Sequence, residues 1–171
     1  MTPDPANLLN MLEISNPLIG FYDTPEKDSF LPFTEPKQCI FSGYQDWMQG
    51  KSTCLSQRTS SRIQCPGAGY WNCNVASVPR EHVAHFLAGE EGLKASHELM
   101  CQWLENQPPY RKKHDYIVIG PLRMEQYAHL KTITFYVSPD QLSMLITGAE
   151  YHNASPACHP VTAAFGTGCG Q

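Results

Sequence analysis

The sequence has no apolar run that approaches the length of a membrane span, and residues 1–5 carry no positively charged leader segment. It also has little net charge, because 12 basic and 16 acidic residues leave a formal charge of -4. Proteins that bind nucleic acid or an anionic membrane through charge need a basic surface, which this balance does not provide. We therefore expect a cytoplasmic protein with neither nucleic acid nor a membrane among its partners.

The sequence also lacks internal repeats and low-complexity tracts. At 171 residues, of which 42% are hydrophobic, it can bury one sizeable core and does not need two. We predict a single domain that spans residues 1–171.

No Cys-x-x-Cys pair occurs, although the chain has seven cysteines. Thiols stay reduced in the cytosol, and an odd number leaves at least one cysteine unpaired. A disulfide framework is therefore not expected. The cysteines remain open to catalytic, redox, metal-binding or purely structural roles. They are Cys39, Cys54, Cys65, Cys73, Cys101, Cys158 and Cys169.

Apolar periodicity predicts a mixture of helices and strands without strict alternation. Helices are expected at 7–12, 37–49, between Pro79 and Gly89, at 93–106 and from Ser138 to about Ala149. Strands are expected at 18–22, 115–119, 132–137 and 161–165, with at most two weak ones within 51–64. The elements from 132 to 165 form a β-α-β pattern, which requires a crossover and a parallel strand pair. We predict an α+β (or α/β) domain in which helices pack on a mixed sheet.

The clearest local signal is the start of the last helix. Ser138 can cap its first N-H groups, Pro139 suits the first helical position, and Gln141 can complete a capping box.

Cysteine and glycine occur together in two loops, 65–73 and 165–170. Loops of this kind lie at surfaces, and glycine lets the main chain approach a ligand closely. Cys39 is predicted in the first turn of the 37–49 helix, where exposed N-H groups and the helix dipole would favour a thiolate. These three segments are the best candidates for a site.

Several short motifs, spread along nearly the whole chain, resemble the DUF169 family, a set of uncharacterised proteins found widely in anaerobic bacteria and archaea. They are the N-terminal helix, the Pro-x-Ile-Gly-Phe strand at 17–21, the Cys39 helix, the turn at 65–68, the helix start at 138–142 and the loop at 165–169. The resemblance implies that Cys39, Cys65 and Cys169 are the thiols of the family's cysteine-bearing motifs, and that the other four cysteines are local additions. Family members continue past the final loop, so the resemblance also implies a C-terminally truncated chain.

The main hypothesis is that Cys39, Cys65 and Cys169 converge on an iron-sulfur cluster or another thiolate-bound metal. Three thiolates would leave one coordination position open for a substrate, or for electron transfer with a redox partner. His159 or Cys73 could supply a fourth ligand.

In this hypothesis the glycine turns also take part in the site. Main-chain N-H groups at Gly67, Gly166 and Gly168 would donate to the sulfur atoms or to a bound ligand.

Three alternatives remain open. The glycine loop at 166–170 could form an anion-binding nest in a non-catalytic small-molecule-binding protein, although it lacks the following helix and the lysine of nucleotide-binding motifs. Cys65 or Cys169 could act as a nucleophile with a base such as His159. The cysteines could also be reduced core residues of a structural or regulatory domain.

Overall fold

The computed structural model describes residues 5–35, 39–56, 80–106, 112–151 and 153–154, and the structural statements below concern these ranges. The strands are β1 (Ile19–Thr24), β2 (Phe33–Thr34), β3 (Ser52–Leu55), β4 (Tyr116–Pro121) and β5 (Leu130–Thr134). The α-helices are α1 (Pro5–Met11), α2 (Tyr44–Met48), α3 (Arg80–His85), α4 (His97–Glu105) and α5 (Pro139–Glu150). Short 3-10 turns occupy Asp28–Phe30, Ile40–Gly43 and Met124–His129, and a π-helical turn, Phe86–Glu90, extends α3.

The strands form one sheet in the order β2-β3-β4-β1-β5. β2 and β3 run parallel, whereas β1 pairs antiparallel with both β4 and β5, and β3 pairs antiparallel with β4. The prediction of an α+β fold with a mixed sheet and helices is therefore confirmed.

Both faces of the sheet carry apolar side chains, because strand residues alternate between faces. On one face, α2 inserts Trp47 against residues of β1, β3 and β4, and its indole N-H donates to Thr53 Oγ1 at 2.8 Å. On the other face, the turn Asp28–Phe30 covers the central strands with Phe30. The first cluster contains Ile19, Trp47, Leu55, Ile117 and Ile119, and the second contains Tyr22, Phe30 and Val118.

Gly20 in β1 is required by the packing of Tyr22 two residues later. A Cβ at Gly20 would lie 2.5 Å from the Tyr22 hydroxyl and 2.6 Å from its ring carbons. The buried hydroxyl accepts the Arg123 backbone N-H at 2.6 Å, so the ring cannot move aside easily. The glycine of the 17–21 motif is thus explained by packing.

The helices α3 and α4 form a hairpin with an apolar core of its own. That core comprises Val83, Ala84, Leu87, Met100 and Leu104. The π-helical turn carries the chain through Gly89, where the sequence predicted a stop. α4 begins at His97, later than predicted, because the Ser96 side chain accepts the Leu99 N-H and caps the helix there.

The predicted capping box at the start of α5 is confirmed. Ser138 Oγ accepts the Gln141 N-H at 3.2 Å, and the Gln141 side chain accepts the Ser138 N-H at 2.8 Å. Its apolar stripe is nevertheless exposed, at 48% for Leu142 and 38% for Ile146. The cap, and a bond of 2.6 Å from Gln141 Nε2 to the Leu12 carbonyl, hold the start of the helix in place.

The prediction of a helix over 37–49 is wrong at 39–43, the described part of its first half. The chain forms a 3-10 turn at Ile40–Gly43, and α2 begins only at Tyr44. At Gly43 the Trp47 indole and Thr53 Oγ1 approach to within 3.0 Å of where a Cβ would stand, so tight packing against the sheet shapes this turn. Cys39 therefore precedes the turn, and the argument that an α-helix dipole favours its thiolate does not apply.

Of the weak strands expected within 51–64, β3 is present, and the remainder of that segment lies outside the described residues. The expected strand at 161–165 also lies outside them, so the β-α-β unit is observed only as far as β5 and α5. Within the described ranges, no helix is both long and apolar enough to cross a bilayer.

Candidate functional site

Cys39 lies on the surface, immediately before the 3-10 turn Ile40–Gly43. Its backbone is extended (φ -100°, ψ 136°), and its carbonyl oxygen accepts both the N-H and the hydroxyl of Ser42, at 3.1 and 2.6 Å. These bonds fix the main chain at Cys39 while the residue remains exposed. Because the thiol is exposed and its backbone is fixed, Cys39 could act as a ligand to a metal ion or another group that binds at the surface.

The helix that follows Cys39 lies beside the carboxyl end of β5. The rings of Tyr44 in α2 and Tyr136, two residues after β5, meet edge to face with their centres 4.9 Å apart. Burial raises the pKa of Tyr44, and the neighbouring Tyr136 adds to the shift. This contact joins the Cys39 segment to the point where the last described strand ends.

The other two described cysteines have different surroundings. Cys54 in β3 is half-buried, and burial raises the pKa of its thiol. Cys101 in α4 is also half-buried, with its sulfur 3.8 Å from Nδ1 of His97 one helical turn earlier. Both are free thiols. Of the three described cysteines, the candidate Cys39 is therefore exposed, whereas Cys54 and Cys101 are partly packed.

The remaining candidate residues lie outside the described part of the chain. They are Cys65, Cys169, Gly67, Gly166 and Gly168, together with Cys73 and His159 as suggested fourth ligands. Whether they approach Cys39 thus stays a prediction. Among the residues that the structure describes, no three His, Cys, Asp or Glu side chains come together in a way that could hold a metal ion.

A second polar arrangement was not found from the sequence. The carboxylate of Asp23, at the end of β1, is fully buried and bonds to the main chain and the imidazole of His114. His114 in turn contacts His129. Asp23 and His114 are 91 positions apart in the sequence, and His114 and His129 are 15 positions apart. No spacing rule connects residues at these separations. The one available signal was an acidic residue directly after an apolar strand.

Comparison with known proteins identifies a family. The profile of the family DUF169, described as uncharacterised ArCR, matches residues 7–171. No curated protein and no solved structure matches the chain significantly. The family match covers almost the entire sequence, and its range contains Cys39, Cys65 and Cys169. The chain belongs to the DUF169 family.

Proposed function

We propose that this protein binds an iron-sulfur cluster or another thiolate-held metal through Cys39, Cys65 and Cys169. The observation that carries the proposal is the contact between Tyr44 and Tyr136, because it brings the carboxyl end of β5 beside the helix that follows Cys39. Cys65 and Cys169 lie outside the described residues, and the predicted topology of the C-terminal segment supports the inclusion of Cys169.

β5 is the last strand in the sheet order and pairs with β1 on its inner side. The sequence predicts that α5 leads to a further strand at 161–165. If α5 is the connection of a β-α-β unit in this sheet, the strand at 161–165 would run parallel to β5, and its carboxyl end would reach the same edge of the sheet. The loop with Gly166, Gly168 and Cys169 would then follow at the edge where Tyr136 contacts Tyr44.

The surroundings of the described cysteines also support the choice of thiols. Metal-binding and redox-active cysteines are at least partly accessible, whereas structural cysteines are buried. Cys39 is exposed, and Cys54 and Cys101 are half-buried. Cys65 is included because the Cys65-Pro66-Gly67-Ala68 turn resembles a motif of the family.

Thiolates are the preferred protein ligands of iron-sulfur clusters and common ligands of zinc. Such a cluster supplies electron transfer when bound, and an open coordination position would admit a small-molecule ligand. The main-chain N-H groups of Gly67, Gly166 and Gly168 would donate to the sulfur atoms and stabilise their negative charge.

The direct test is purification of the full chain under anaerobic conditions, followed by a visible absorption spectrum and assays for iron, acid-labile sulfide and zinc. We expect bound metal in the wild-type protein. We expect most of it to be lost in Cys39→Ser, Cys65→Ser and Cys169→Ser, because each removes one thiolate ligand.

Cys54→Ser and Cys101→Ser are the matched controls, and we expect both to retain the metal. A colourless, metal-free wild-type protein, or equal loss in the control variants, would rule the thiolate centre out.

A second candidate function is a non-catalytic anion or small-molecule binder in which all the cysteines are structural, as the half-buried Cys54 and Cys101 would be in either case. In that case the loop at 166–170 would hold the anion through its main-chain N-H groups. A thermal shift with phosphate or nucleotides that persists in Cys39→Ser would favour this function over the metal centre.

A further inference from the structure

Asp23 is a charged group at the end of a core strand, and its side chain is 0% exposed. One carboxylate oxygen accepts the Lys113 N-H at 2.7 Å, and the other accepts the His114 N-H at 2.9 Å. Nδ1 of His114 lies 3.1 Å from that second oxygen. A buried carboxylate is stable only when it is paired or hydrogen-bonded in this way.

The contact with Asp23 determines which nitrogen of His114 carries the proton. A carboxylate accepts hydrogen bonds, so Nδ1 of His114 must donate to it. In a neutral imidazole, Nε2 then keeps its lone pair. A buried carboxylate behind a histidine is the arrangement that orients metal-binding imidazoles in proteins.

A second imidazole lies beside the first. The rings of His114 and His129 meet at 88° with centres 5.6 Å apart, and both residues are half-buried. Two imidazoles bound to one tetrahedral ion, each through a nitrogen at about 2.0–2.1 Å, have ring centres about 5 Å apart. The observed ring-centre separation of 5.6 Å is compatible with a shared ion, and it is also within the range of an ordinary edge-to-face ring contact.

We propose that His114 and His129 bind a divalent transition-metal ion of the zinc type, with Asp23 orienting His114 from behind. Water completes the coordination, since Asp23 is engaged with His114 and the main chain. Imidazole nitrogen is a good ligand for zinc, copper and nickel. Lys112 and Lys113 directly precede His114 in the sequence and add no negative charge, so imidazole coordination, and not net charge, determines the affinity.

This site is separate from the proposed thiolate centre. Asp23 pairs with Ile117 near the end of β1, whereas Ile19, at the start of β1, pairs with Thr134 at the end of β5. At about 3.3 Å per residue, Asp23 and Ile19 are about 13 Å apart along the strand. The two sites can therefore be tested independently.

The test uses the full chain in the Cys39→Ser background, labelled with nitrogen-15, and long-range proton-nitrogen spectra of its imidazole rings at a pH above the usual histidine pKa. Before metal is added, we expect His114 to be protonated at Nδ1. During titration with zinc ions alone, we expect Nε2 of His114 and one nitrogen of His129 to shift together and saturate with one ion.

His129→Gln leaves the Asp23–His114 contacts in place and should weaken zinc binding at His114 at least about tenfold. His82→Gln, an exposed histidine on α3, is the matched control and should change nothing. Unshifted resonances of His114 and His129, or unchanged zinc binding in His129→Gln, would overturn the proposal. Asp23 would then serve only to anchor the loop before β4.

Discussion

Tyr22 and Gly20 show at the residue scale how closely the sheet is packed. The Tyr22 ring occupies the space beside Gly20, and its hydroxyl accepts the Arg123 N-H. We expect Gly20→Ala to lower the free energy of unfolding by about 1–3 kcal/mol, as overpacking usually does. Gly148→Ala is the matched control, because nothing lies within 4 Å of its Cβ position. Urea unfolding gives the free energy of unfolding of each variant. Equal values for Gly20→Ala and Gly148→Ala would contradict the packing account.

The burial of the Tyr22 hydroxyl also predicts that the stability of the fold depends on pH. Burial raises the pKa of its hydroxyl, so the folded protein keeps this proton at a pH where an unfolded tyrosine has lost it. Its contribution to stability is therefore present below about pH 10 and declines as the pH rises further. Tyr22→Phe removes this decline and also costs about 1–2 kcal/mol near neutral pH, because the Arg123 N-H loses its acceptor. Stability curves of wild type and variant that stay parallel across alkaline pH would contradict this.

The described cysteines should differ in reactivity. Cys39 is exposed, whereas burial raises the pKa of the Cys54 thiol and lowers its thiolate fraction. In chelator-treated protein we expect iodoacetamide to modify Cys54 more slowly than Cys39, by on the order of tenfold or more. Peptide mass spectrometry at several times measures both rates, and unfolding in urea should make them similar. Equal rates in the folded protein would show that Cys54 is more accessible than its burial indicates.

At the scale of elements, α5 depends on its cap more than on packing. No residue of this helix is buried, so the Ser138 cap is a main local source of its stability. We expect Ser138→Ala to destabilise the start of α5 by about 1 kcal/mol while the sheet remains intact. Hydrogen exchange should therefore rise at Gln141 and not in β1. Ser143→Ala, in the same helix, should leave the exchange at Gln141 unchanged, and a rise throughout the sheet in Ser138→Ala would contradict a local effect.

Elements with strong local signals were predicted well from the sequence. The capping residues of α5 and the apolar runs of β1 and β4 act within a few positions, so the amino acids themselves determine them. The segment before α2 was predicted as helix because its apolar residues have helical spacing. Its actual shape depends on how Gly43 and Trp47 pack against β3, which is a tertiary effect.

At the scale of the whole molecule, the strand order could not be predicted. β1 lies between β4 and β5 and pairs with residues about a hundred positions away, and local periodicity contains no information on such partners. The same reason explains why Asp23 was missed, since its partners belong to the loop before β4. The candidate cysteines were chosen from their loops, a predicted helix start and the family resemblance, and Cys65 and Cys169 lie outside the described residues, so their convergence with Cys39 stays a prediction.

The most direct test of the thiolate centre is a crystal structure of the anaerobically prepared full chain. We predict that the sulfur atoms of Cys39, Cys65 and Cys169 surround one metal centre. With metal-sulfur distances of about 2.3 Å on a single ion, the sulfur atoms would lie about 4 Å apart, and somewhat farther apart on a cluster. Sulfur atoms in separate regions of the molecule, with no metal between them, would contradict the account.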